Sequence, residues 1–482
     1  MTPLTIVFIY LGLILVLGVG SSFFSKGSSS DFFKASHSVG PILLLLTVFG
    51  TTMTAFALVG SSGEAYKRGI GVYGLMASWS GLIHSAVFFL IGIKLWSFGK
   101  KYGYSTQIQF FKERYESKAL GLLMFPVLVG LVIPYLLIGV IAGGGALSAI
   151  SEGKFSPAAA SAIICGIVMV YVFFGGMRGT TWANAMQTLV FMITGIIAFY
   201  MISNKLGGVT AATEAVMEKS RQHLNRETIG HAEFFSYFLI PLSVGMFPHL
   251  FQHWLTAKSA KSFKLSVALH PICIMLVWVP CVLIGVWAVA VPEIPEGTKH
   301  TKVIIEMIKT LGSSTMIGIL SAGILAAIMS SLDSQFMCVG TMFTNDFLFT
   351  IKDEKDFSDK QKIWAGRIFI VVIVAITWGL AQVTSKSIFG MAVWCFSGFT
   401  GLFPIVFAAL YWKRATKVGA IAALIVTTIV WCVLFFMGVK LVLGCKPVTF
   451  IFLASIVAMV VGSLMSKPPS DETVEKFFPE KA

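Results

Sequence analysis

Charge is what this sequence has least of. Asp, Glu, Lys and Arg make up 12% of its 482 residues, against 56% hydrophobic residues, whereas soluble domains carry about 25% charged residues. No aqueous fold buries that much apolar surface, so the solvent of this chain is lipid. A net charge of +14 would suggest nucleic acid in a polar protein. Here the positive side chains sit in loops between apolar runs, the pattern that orients membrane proteins, so the expected partner is the bilayer and not nucleic acid. Cysteine is also sparse. The seven cysteines form no C-x-x-C pair, and all but Cys445 lie inside apolar runs, which argues against a disulfide frame or a thiolate metal site. The sequence has no Asn-x-Ser/Thr sequon. Its longest loops, about 204–233 and 292–313, are too small for a second core. The opening run from Leu4 to Phe24 is too long for a signal-peptide core and lacks a basic segment, so it reads as a retained helix.

What is present is a series of about thirteen apolar spans. They cover about 3–24, 39–64, 70–97, 119–149, 157–175, 180–203, 234–256, 264–291, 314–345, 363–383, 388–411, 417–438 and 447–465. The expectation is an all-α integral membrane protein with one transmembrane domain over 1–465 and a short polar cytoplasmic tail over 466–482. Roughly twenty Lys and Arg fall on one side and about a dozen on the other. That bias predicts a multi-pass protein of the plasma (inner) membrane, with the N-terminus outside and the C-terminus cytoplasmic.

Two spans are built to break. Phe49-Gly50-Thr51-Thr52-Met53-Thr54 and Val244-Gly245-Met246-Phe247-Pro248-His249 put Gly, hydroxyl or Pro residues where a lipid-facing helix would carry Leu or Ile. Interrupted segments at matching places in two halves point to a transporter's binding site, because a break frees backbone carbonyls at mid-membrane depth. With the leading helix 3–24 set aside, the next ten spans fall into two sets of five, 39–203 and 234–411, and each set opens with a break. Five is odd, so the second set is inverted relative to the first. The spans over 417–465 trail.

Four motifs carry a resemblance. The run from Gly175 to Gln187 resembles the Gly-Gly…Thr-Asp-x-x-Gln signature of the sodium:solute symporter family, whose bacterial members include proline, pantothenate and sugar symporters. The run from Ala326 to Gln335 is similar to that family's Ser-Ser/Thr motif, Phe247 to His253 to its broken helix with Pro-His, and Asp31-Phe32-Phe33 to the run before its first break. The resemblance covers roughly residues 5–440. It implies a LeuT-type five-plus-five inverted repeat with discontinuous helices, and sodium-coupled uptake of a small organic solute by alternating access. It also implies sodium ligands: the carbonyls of Gly50, Met53 and Ala327 and the hydroxyls of Ser330 and Ser331. Ala327, Ser330 and Ser331 share one helix face. Taken without the resemblance, the two serines would simply bond their own helix. The signature Asp is Asn184 here, which puts a second sodium in doubt and favours one sodium per solute. Gln187 completes the signature.

Asp333 is a carboxylate deep within a span, a functional group by default. It either serves the coupling ion or pairs with a base such as Arg178. The expected solute site lies between the breaks. Thr51, Thr52 and Phe56 come from the first broken helix, and His249, Gln252 and His253 from the second. Trp79, Tyr135, Trp394 and Phe396 are candidate walls. Phe56 stands where sugar-transporting relatives carry polar groups, and the first break has no acid. The expected solute is therefore a small carboxylate or amino acid. His249 and His253 have metal-compatible spacing but no third ligand nearby, and sodium is the only metal expected. His84 and His270, each alone on an apolar helix, read as hydrogen-bonded packing residues. No nucleophile–base set suggests an enzyme, and no cofactor is expected. The alternatives are a membrane sensor using the same fold with a separate signalling partner, and a proton-coupled symporter.

Overall fold

The computed structural model describes residues 1–24, 27–35, 38–384 and 387–479; the last three residues of the expected tail lie outside the described residues. Among these the secondary structure is helical apart from two isolated bridges. The main helices are α1 (Pro3–Gly20), α2 (Pro41–Thr52), α3 (Phe56–Arg68), α4 (Gly71–Tyr102), α5 (Gln107–Arg114), α6 (Lys118–Ile150), α7 (Pro157–Lys205), α8 (His231–Gly245), α9 (Pro248–Thr256), α10 (Ala260–Trp287), α11 (Ser314–Ile351), α12 (Asp359–Val383), α13 (Ile388–Tyr411), α14 (Lys417–Phe436), α15 (Val448–Leu464) and α16 (Asp471–Phe477). Nine of the described helices are long and apolar enough to cross a bilayer, and the bent pairs α2–α3 and α8–α9 raise that to eleven. The expected thirteen is reached only if α15 also crosses and α7 crosses twice. α7 has 49 residues and turns at Gly176, whose φ of 55° suits glycine.

Local chemistry explains where the helices start and stop. Thr106 with Gln109 and Ser358 with Gln361 form reciprocal capping boxes at α5 and α12. Ser387 and Thr416 cap α13 and α14 through their hydroxyls.

The two breaks have different causes. At the second, Pro248 has no N–H to continue a helix and holds Phe247 extended (φ −67°, ψ 116°), and the halves bend by 52°. The first contains no proline. There Met53 leaves helical geometry (φ −88°, ψ 86°), the Thr52 hydroxyl donates back to Phe49 O, and the Phe56 N–H donates to the Thr54 hydroxyl. These side chains end one half and start the other across a 55° bend.

The two broken helices are joined at both ends. On one face Val39 N–H donates to Thr256 O, and Lys258 N–H to Val39 O, each at 2.9 Å. On the other, Arg68 grips both oxygens of Glu233 at 2.8 Å. α7 and α11 pack against each other and against α1, behind the first break. The tail is not a loose polar strand. α16 folds back and buries Phe477 among Phe98, Tyr102 and Phe110, and apolar burial holds it there.

Candidate functional site

The first break meets α11. The Ser330 hydroxyl lies 2.9 Å from Gly50 O and 3.0 Å from Ala327 O. Two of the expected sodium-ligand carbonyls, from helices far apart in sequence, therefore converge on the hydroxyl of a third expected ligand, Ser330. Gly50 is required by close approach, because a Cβ there would run into the Thr188 hydroxyl of α7. Ser331 has the local geometry its residue type also allows, and bonds Ile328 O at 3.0 Å within its own helix. Met53 is fully buried where the helix ends, and its N–H closes the last regular helical bond, to Phe49 O at 3.0 Å.

Beside this junction lies a buried polar network. The Asp333 carboxylate accepts from the Tyr171 hydroxyl (2.8 Å), the Asn184 amide (3.1 Å) and the Ser334 hydroxyl (3.0 Å). The Asn184 amide also donates to Ser334 at 2.7 Å, and His253 Nε2 lies 2.9 Å from the same hydroxyl. Gln187 reaches the Tyr171 hydroxyl at 3.5 Å, and its own Oε1 has no partner. The structure does not pair Asp333 with Arg178. Arg178 bonds Asp31 at 2.8 Å instead, near the membrane edge, where its charge can stay partly hydrated. Asp333 thus receives three neutral donors in a site that excludes water. Tyr171 and Ser334 belong to this network and were not singled out in the sequence. Ser334 lay within a quoted motif, and Tyr171 looked like one more aromatic in an apolar run.

A small central cavity of about 30 Å³ lies at the breaks, with Thr52, Phe56, Tyr135 and Phe396 in its wall, as the sequence suggested. Tyr237, Phe247, Trp278 and His84 also line it, with the hydroxyls of Ser80 and Ser243 and the apolar Ile240, Pro241 and Val244. The ring nitrogen of Trp278 and the hydroxyl of Tyr237 are buried without hydrogen-bond partners. No Asp, Glu, Lys or Arg lines the cavity. His84 Nδ1 lies 3.2 Å from His270 Nε2, so the two imidazoles share one hydrogen bond, and His270 Nδ1 is left without a partner.

The remaining expected wall residues lie elsewhere. Trp79 bonds Phe234 O at 3.2 Å and packs on Phe234 and Phe238. Trp394 stacks on Trp431 and lines a different cavity. Trp394 is drawn away because a large flat ring buries more surface in a stack than at a narrow break, and Trp79 is held by its hydrogen bond and by tilted and edge contacts. Thr51, His249, Gln252 and His253 do not line the central cavity. His249 touches it indirectly, through ring contacts to Tyr135 and Phe247 at 5.4 and 5.1 Å. Both ring nitrogens of His249, both amide atoms of Gln252 and the Thr51 hydroxyl are buried without partners. No group of three metal-ligating side chains occurs among the described residues.

With this geometry in view, the sequence model described as the sodium:solute symporter family matches residues 32–427. The chain belongs to that family. The sodium/proline symporter of Escherichia coli (strain K12) is 25% identical, covering 99% of this chain and 96% of the relative. The high-affinity proline transporter of Bacillus subtilis (strain 168) is also 25% identical, over 93% and 95%. A sodium-coupled sialic acid symporter, solved in a substrate-bound outward-open state, superposes with a TM-score of 0.81 at 17% identity, covering 98% of this chain and 99% of that one. The nucleobase-cation symporter Mhp1 follows with a TM-score of 0.60 at 14% identity, over 92% and 95%. The fold is therefore the LeuT-type inverted repeat. As a member of this family the chain is a multi-pass membrane transporter, not an enzyme. It couples sodium to the symport of a small solute.

Proposed function

We propose that this symporter imports a small carboxylate with a compact apolar body, an amino acid such as proline being the leading case, together with one sodium ion. The observation that carries this is the chemistry of the central cavity: aromatic walls, two unpartnered donors at Trp278 and Tyr237, and no Asp, Glu, Lys or Arg. Buried donors without partners are costly and suit an incoming acceptor. A cationic solute would find no counter-charge there. A sugar would need polar side chains all round, and Phe56, Phe247 and Phe396 occupy much of this wall, beside the hydroxyls of Thr52, Ser80 and Ser243. The proline symporters among the relatives agree with this choice.

The ion takes the carbonyls of Gly50, Met53 and Ala327 and the hydroxyls of Ser330 and Ser331. Neutral oxygens suit a hard cation that must also leave. Ser330 needs only to turn its hydrogen away from Gly50 O to offer a lone pair, and Ser331 must release Ile328 O. Asn184 in place of the signature carboxylate supports a single sodium. One charge crossing about 100 mV supplies roughly 2.3 kcal/mol, and a tenfold sodium gradient adds about 1.4 kcal/mol. For a zwitterion this supports accumulation of roughly 500-fold.

The organisation proposed with it is a leading helix 3–24, repeats over 39–203 and 234–411, trailing helices over 417–465, an external N-terminus and a cytoplasmic tail. The test is uptake by proteoliposomes of proline, other small amino acids, monocarboxylates and sugars, with and without an inward sodium gradient. Sodium-dependent uptake of an acid supports the reading. Sodium-dependent uptake of a sugar alone overturns it.

A further inference from the structure

The second break sets the carbonyl of Met246 free. In a continuous helix that carbonyl would accept from the N–H four residues on, but Phe247 is extended and α9 starts afresh at Pro248. Met246 is fully buried, and Val244 and Phe247 on either side of it line the central cavity. The donor that meets this carbonyl comes from a distant part of the chain. It is the side-chain amide of Gln107, 2.9 Å away. Gln107 is the first residue of α5 and is buried, so the bond is shielded from water. α5 follows α4, whose end is fixed to that of α9 by Trp96 Nε1 donating to Ala257 O at 2.9 Å. It therefore lies on the Thr256 face of the broken helices, opposite Arg68 and Glu233. The caps and last turn of α5 also bond to the second repeat. The Thr106 hydroxyl donates to Asp346 of α11 at 2.8 Å, Arg114 Nε to Ala409 O of α13 at 2.9 Å, and the Tyr115 hydroxyl to Ile405 O at 2.7 Å. Of these contacts, that of Gln107 reaches the break itself.

We propose that Gln107 is a positioning residue for transport: by holding Met246 O it keeps the second broken helix closed over the central chamber on the α5 face, and it lets go when one repeat rocks against the other. The bond joins the first repeat to the second, so that movement must stretch it. Once the helix tilts away, water enters and serves both groups. The amide thus adds stability to the closed state alone. Without it the carbonyl is buried unpaired, which is costly only while the gate is shut. The inference rests on the repeat boundaries and on the chamber proposed above, and it adds the residue that times opening on one side.

Cys338 is a native reporter for this gate. It is fully buried on α11, four residues beyond Ser334 and so on the same helix face, one turn nearer to the Thr106–Asp346 contact. The test is maleimide labelling of Cys338 in the purified full-length protein, read peptide by peptide by mass spectrometry. Gln107→Leu keeps the bulk but removes the donor, and should label about tenfold faster than the wild type. Gln107→Glu can donate only when protonated. Its rate relative to the wild type should be high at about pH 8 and fall towards one at about pH 6. Joining Gln107→Cys to Met246→Cys with a short thiol cross-linker should protect Cys338 until the link is reduced. Labelling of Gln107→Leu at the wild-type rate would overturn the proposal. So would a formed cross-link that leaves Cys338 as reactive as before. Equally fast labelling of Gln107→Leu and Gln107→Glu at every pH would mean loosened packing, and would also overturn it. The measurement uses no solute and no membrane sidedness, so a different solute or a reversed orientation leaves this inference standing.

Discussion

The Ser330 hydroxyl donates to the carbonyl oxygen of Gly50 across 280 residues of sequence. That bond ties α2, the first half of the broken helix, to α11 near the point where helical geometry ends. In the proposed ion-bound state the carbonyl faces the ion and the hydroxyl offers a lone pair, so one bond is exchanged for coordination. Ser330→Ala with Ser331→Ala should therefore raise the sodium concentration for half-maximal uptake about tenfold, the equivalent of about 1.4 kcal/mol. Uptake measured against sodium concentration in proteoliposomes checks this, and an unchanged sodium dependence rejects the ligand set.

Asp333 is held by three donors and meets the ion site through Ser334, whose hydroxyl is 3.3 Å from Ser330 O. Its charge has no basic partner in the network described, so its field falls on the neighbouring cation. Asp333→Asn should raise the sodium constant at least fivefold and leave the solute constant at saturating sodium nearly unchanged. Tyr171→Phe, which removes one donor but keeps the charge, should cost less sodium affinity. Equal effects of the two variants would mean that packing, not charge, is what Asp333 contributes.

Orientation can be read from one native thiol. Four cysteines are buried, Cys273 and Cys432 lie within spanning helices, and Cys445 sits in the loop before α15. A membrane-impermeant maleimide should label right-side-out vesicles at Cys445, and Cys445→Ser should abolish the signal. Labelling only after permeabilisation would reverse the proposed topology.

The docking of α16 depends on a carboxylate. Partial burial pushes the Glu116 carboxyl up, but hydrogen bonds from Ser470 and Thr473 and attraction to Lys417 outweigh this and hold it below its ordinary value of 4.5. A depressed folded value adds stability that is present above the unfolded pKa and is lost as pH falls through the folded one. Limited proteolysis should find the tail protected at neutral pH and progressively released below about pH 4.5. Glu116→Gln should release it at neutral pH and flatten the pH profile.

The membrane class, the two breaks and the shared helix face of Ala327, Ser330 and Ser331 were legible in the sequence because each rests on local chemistry. Apolar runs of span length have no aqueous home. Pro248 cannot continue a helix wherever it sits, and Ala327, Ser330 and Ser331 share a face by helical period alone. The partners of Trp79, Trp394, His84 and Asp333 were not legible. An aromatic or histidine in an apolar span carries no local signal of whether it faces a cavity, a stack or another ring, and the choice of Asp31 by Arg178 depends on where two helix ends meet.

The sequence by itself determined that this chain lives in lipid, where it must bend and which hydroxyls stand beside a bend, since backbone hydrogen bonding and residue spacing are properties of the chain alone. Only the tertiary structure decided that Gly50 and Ser330 meet, that Asp333 receives Tyr171, Asn184 and Ser334, and that Trp394 belongs to the outer stack and not to the chamber. Those relations depend on which helix faces cross. In a lipid environment that crossing is set by close packing and by satisfying buried polar groups, which the one-dimensional pattern does not record.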